Sequence, residues 1–119
     1  MTPNSRMDDI YLHLKENGFD VYFPAQKVGE CLSSYVVIRD ATTSKFLDYS
    51  STITYYDLLC YVPKDQFSQL EPFVEKVKDS MKGMYPMILP TYTQSQSYYD
   101  DSVKAHMIGV LYKNYRKIS

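Results

Sequence analysis

Two histidines, two cysteines, one adjacent pair of acids and one basic tail are the residues whose types could do chemistry in this chain. His13 and His106 lie far apart in the sequence. A metal site would have to recruit Cys31 or Cys60, yet there is no CxxC or HxxxH spacing to hold a zinc ion. A Cys/His nucleophile pair needs a thiolate, and Cys60 sits in the apolar run "ITYYDLLCYVP" (53–63), the setting of an inert buried thiol. Asp100 and Asp101 adjoin each other. Neighbouring acids on a strand point to opposite faces, so they are better suited to a solvated turn than to paired acid/base work. The patterns GxxxxGK[ST], GxGxxG and GxSxG are all absent, and four glycines leave little material for a phosphate cradle. The C-terminal "YKNYRK" interleaves Tyr with Lys113, Arg116 and Lys117, a composition that can stack on bases and touch phosphates.

The bulk composition weighs against that last use. Formal net charge is -1 over 119 residues, so the chain as a whole is no basic coat for nucleic acid. A hydrophobic fraction of 45% places it among ordinary globular chains, and its length fits one domain over residues 1–119. The cysteines read as free thiols in a reducing compartment, because the N-terminus has no apolar signal segment. No stretch is apolar for long enough to span a membrane. The unusual feature is thirteen tyrosines with no tryptophan. Tyrosine suits strands, and it suits interfaces that are dry in the middle and wet at the rim.

The elements that must position these residues follow from periodicity. Residues 1–6 read as a flexible extension. Asp8 or Asp9 caps a first helix with Ile10, Tyr11 and Leu14 on its apolar side, closed by Gly18. "FDVYFP" (19–24) and "SYVVIRD" (34–40) read as strands, and 41–52 as a long hairpin loop with ragged strand ends. Asp65 caps a second helix over 66–82, whose stripe is Phe67, Leu70, Val74, Val77 and Met81. "MYPMILP" (84–90) is strand-like, but its prolines place it at a sheet edge or bulge. Residues 91–104 read as a polar loop bearing Tyr98 and Tyr99. A last long strand covers 105–116. The order predicts an α+β fold: an antiparallel sheet of four to five strands with two main helices packed on one face.

That architecture leaves a question in the central strand. One side carries Tyr56, Leu58, Cys60 and Val62, suited to the helix-covered core. The other carries Tyr55, Asp57, Leu59 and Tyr61, which two helices on the opposite face do not reach. A carboxylate at Asp57 needs a partner or an exit to water. This second set is the candidate subunit interface, and Tyr98 and Tyr99 join it as exposed aromatic contact residues.

Taken in order, "MDDIYLHLKENGFDVYFPAQKVGEC", "SSYVVIRD", "TYYDLLCYVPKDQFSQLEPFVEKVKDSMKGMYPM" and "YYDDSVKAHMIGVLYKNYRK" resemble the tail terminator group. These are the tail-completion or tail-to-head joining proteins in the neck of long-tailed phages and prophages of Gram-positive bacteria. The resemblance covers nearly the whole chain from Met7 onward and rests on the order and phrasing of segments. It implies an α+β subunit of a hexameric ring that caps the tail tube and offers a surface to the head connector. It implies no catalysis and no cofactor, a place in the virion after assembly in the host cytoplasm, and DNA passing through the channel without specific binding. The uncovered sheet face would then meet neighbouring subunits or line the channel. A small nucleic-acid-binding module using the basic C-terminus is the alternative, and a small thiol enzyme the third reading.

Overall fold

The computed structural model describes residues 7–24, 26, 29–45 and 51–117. The extension at 1–6 and the middle of the expected 41–52 loop lie outside the described residues. Helix α1 spans Met7–Glu16 and buries Ile10 and Leu14, one turn apart, so a single stripe faces inward. Asp8 and Asp9 fall inside its first turn rather than at the cap, where their charge still favours the positive end of the helix. Its C-terminus closes as a paired-bond cap: Phe19 N–H donates to the Leu14 carbonyl at 3.1 Å, and Gly18 N–H to Lys15 at 3.0 Å. The geometry puts Gly18 at φ 91°, a conformation that a side chain at this position would strain.

Six strands follow: β1 (Val21–Tyr22), β2 (Tyr35–Lys45), β3 (Ser51–Pro63), β4 (Leu89–Gln94), β5 (Tyr98–Asp100) and β6 (Ala105–Lys117). They form one sheet in the order β1-β2-β3-β6-β4, with β5 also paired to β6. Only the two-residue β1–β2 pairing is parallel. The strands of the β2–β3 hairpin run into 41–45 and 51–52, further than the ragged ends expected there.

The region 91–104, expected as a loop, supplies most of β4 and all of β5. Its polar side chains face water at the sheet margin, and β6 holds its backbone, so no apolar alternation is needed. Conversely, 84–90 is strand only from Leu89, preceded by a 3-10 turn over Lys82–Met84. Pro90 does fall on an edge strand beside a bulge: the register slips between Pro90 and Thr93, where Tyr92 takes φ 61°. Past the bulge, Ser95 and Gly109 re-seal the pairing. Ser95 N–H donates to the Gly109 carbonyl, and Gly109 N–H to Ser95 Oγ, both at 2.8 Å.

The second helix, α2 (Leu70–Met81), starts four residues later than the spacing predicts, after a 3-10 turn at Phe67–Gln69. Pro72 is the reason. It has no N–H for the Ser68 carbonyl, and its ring would strike that carbonyl in α geometry, so Pro72 fits only in a first turn. Phe67 therefore leaves the stripe and is 54% exposed, while Leu70, Val74, Val77 and Met81 are buried. These four and α1's Ile10 and Leu14 pack on Tyr56, Leu58, Cys60 and Val62 of β3 and Ile108, Val110 and Tyr112 of β6. Burying each aliphatic side chain is worth roughly 1.5–3 kcal/mol. His13 Nε2 on α1 lies 2.6 Å from the Ser80 carbonyl oxygen on α2, joining the two helices.

Candidate assembly surface

Among the described residues, the other sheet face is covered at one end only. There Cys31, Tyr35, Tyr61 and Ala105 form a small second core. The segment before β2 crosses that end, and its Cys31 N–H donates to the Val103 carbonyl at 2.7 Å. The Tyr35 and Tyr61 rings stack at 4.9 Å, and Tyr22 meets Tyr35 edge-on at 5.6 Å. Burial, and then the neighbouring Cys31 for Tyr35 and Asp100 for Tyr61, push both hydroxyls above the ordinary tyrosine range. Tyr61 is thus taken up by the chain's own packing, although alternation places it on the expected face.

Beyond that end no helix of the described residues lies over the sheet. Ile53, Tyr55 and Leu111 are half-buried, an apolar surface that water still reaches, and the half-buried Leu59 continues it while packing against the second core. Leu59 lies across Gly109: a Cβ there would sit 3.2 Å from Leu59 Cδ2, so the glycine lets Leu59 lie low on the sheet. Asp57 has both remedies a carboxylate can use. It faces water, with a side chain 20% exposed, and it pairs at 2.8 Å with Arg39, directly opposite on β2. Such an exposed pair is worth about 0–1 kcal/mol, so it is readily exchanged for other partners.

Tyr98 stands opposite Met107 and shares this face, near the closed end. Tyr99 stands opposite His106 on the helix side, with its ring 5.2 Å from the imidazole. The six candidate residues therefore divide into three groups. Tyr55, Asp57 and Leu59 form the open patch, Tyr61 and Tyr98 border it, and Tyr99 belongs to the other surface.

The residues with chemical potential do not converge. His13 is held by Ser80, while His106 Nε2 lies 3.0 Å from the Lys64 carbonyl oxygen and its ring packs on Phe67. Among the described residues no three of His, Cys, Asp and Glu are grouped to hold a metal ion. Asp100 serves the β5–β6 turn, accepting from Ser102 N–H at 3.0 Å and Ser102 Oγ at 2.6 Å. Lys113 of the basic tail lies on the open sheet face, and the side chains of Arg116 and Lys117 lie outside the described residues. No described helix is long and apolar enough to cross a membrane.

Cys60 is fully buried, and burial pushes its thiol up to about 12 from 9.0, with Lys78 opposing. The consequence is a stability loss in alkali. The folded chain keeps the thiol proton while the unfolded chain releases it, so this contribution is complete below pH 9.0 and lost as pH rises towards about 12. Urea titrations at pH 8 and pH 10.5 should show a smaller alkaline loss for Cys60→Ala than for the wild type. Equal losses would show that this thiol does not drive the effect.

One feature had no signal in the sequence, because β6 completes it from further along the chain. The C-terminal end of α2, the turn at 85–88 and the bulged β4 enclose a cleft of about 510 Å³. Met81, Ile88, Val110 and Tyr112 line its interior, and Lys78 and Lys82 stand on the helix side. Tyr85 and Tyr92 flank it, exposed by 68% and 93%. No protein-family model and no curated protein matches this chain.

Proposed function

We propose that this chain is a structural subunit of a phage neck, assembling into a ring that ends the tail tube and joins it to the head connector. The observation that carries the reading is the half-covered sheet face. Helices shield one side of β3 and β6, while Tyr55 and Leu59 on the other keep apolar surface in water beside the Arg39–Asp57 ion pair. A second copy can bury that surface with the Arg39–Asp57 charges already matched to each other. The order of segments from Met7 onward, similar to tail terminator proteins, supplies the setting. In this role the protein catalyses nothing and needs no cofactor. It is assembled in the host cytoplasm, becomes part of the virion, and lets DNA pass without gripping it.

The test is electron microscopy of particles made without the protein. Tails of irregular length and heads without tails are the expected result. Joined particles with tails of normal length would remove the neck assignment.

A further inference from the structure

Two separate sites on the molecule are complementary to each other. At one end the β5–β6 hairpin carries Tyr98 and Tyr99, 55% and 42% exposed, followed directly by Asp100 and the exposed Asp101. Further along, beside the middle of β6, is the cleft of about 510 Å³, apolar inside, with Lys78 and Lys82 on its helix side. The two sites lie along the same strand. β5 pairs with β6 at residues 105–107, and the cleft meets β6 at 110–112, about 20 Å away from Ala105 to Leu111 at strand rise. A hairpin of this chain cannot fold back across that rigid strand into its own cleft.

The charges match the shapes. Lys78 and Lys82 pair with Glu75 and Asp79, each three residues back along the chain, and neither acid lines the cleft. Both are solvent-facing pairs of the kind that yield easily to a better partner. Asp100 and the exposed Asp101 lead into the hairpin turn, and Lys104 ends it. Tyr92, held at φ 61° with its ring in water, is a strained residue at the cleft wall, and strain of this kind gathers at binding clamps.

We propose that the cleft receives the Tyr98–Asp101 hairpin of a second copy of this chain, with a tyrosine ring entering between Tyr85 and Tyr92 and Asp101 meeting Lys82. The two surfaces differ, so the contact is head-to-tail, the kind that closes into a ring when the rotation allows. The idea rests on the ring reading for its setting and deepens it by naming a knob and its socket.

The test uses the full chain carrying Tyr98→benzoylphenylalanine, irradiated at high concentration, with the crosslinked peptides sequenced by mass spectrometry. Crosslinks to 78–94 of a second copy are expected. Sedimentation velocity then compares Asp101→Lys, Lys82→Asp and the two combined. Each single reversal should weaken self-association about tenfold, and the combination should restore it. Both positions are exposed, and circular dichroism checks that each variant is folded. Crosslinks that land elsewhere, or single variants that associate like the wild type, would overturn the contact and leave the neck assignment standing. A wild-type chain that stays monomeric and uncrosslinked up to about 1 mM, far above working concentrations for a specific interface, also overturns it. The neck assignment is judged separately, by particles lacking the protein.

Discussion

Val74→Asp unfolds most of the protein at room temperature. Val74 is fully buried in the middle of the α2 stripe, between Leu70 and Val77 and against the strand side chains of the main core. The nearest described basic group, Lys78 one turn on, reaches out to Glu75 rather than into the core, so a carboxylate there must either take up a proton or pull the helix off the sheet. The expected loss is about 4–5 kcal/mol, close to the whole stability of a small domain. Lys76→Ala, two residues along on the exposed face, should change stability by less than about 0.5 kcal/mol. Thermal melts followed by circular dichroism decide the matter. An unchanged melting temperature for Val74→Asp would remove the packing of α2 on β3 and β6.

Asp57→Arg does the opposite: the subunit folds and the assembly is lost. The site is a half-buried position on the open face, beside Arg39 with its side chain 54% exposed. Exchanging the pair for two neighbouring guanidiniums costs the monomer about 1 kcal/mol, since both can swing into water. Between subunits the same two charges are repeated at every contact and cannot leave without opening the interface, so each defect is multiplied around a closed ring. Circular dichroism of the purified variant and micrographs of tails made in its presence test the two halves. A variant that unfolds makes Asp57 an internal structural residue. One that folds and still yields joined tails of fixed length takes this face out of the assembly.

The parts of the fold that could be read from the sequence are those set by local periodicity. Alternation assigned Tyr56, Leu58, Cys60 and Val62 to the core, and all four are buried. The helical spacing of Leu70, Val74, Val77 and Met81 likewise found the buried side of α2. What was not legible depended on distant chain. Phe67 has the right spacing for the stripe, but Pro72 keeps it outside the α-helix. Residues 91–104 look like a loop because edge strands in water need no apolar pattern, and only β6 tells them apart from one. Tyr61 was placed on the correct face, yet whether it is free is decided by Tyr35 and by the segment bonded to Val103. The cleft behind Tyr92 follows the same rule, since β6 must join residues 78–94 to complete it.

The strand order carries a further consequence, for how the chain finds its fold. β3 lies beside β6, and Leu58 pairs with Val110, about fifty residues later. The two longest strands of the sheet therefore meet only after a large loop closes, with its entropy lost before any of their thirteen register pairs are gained. Until they meet, α2 has only half of its platform, and its apolar stripe stays in water. Folding is thus governed by a late, long-range encounter, slow for a chain of this size. In that interval the uncovered strands of one copy are open to those of another.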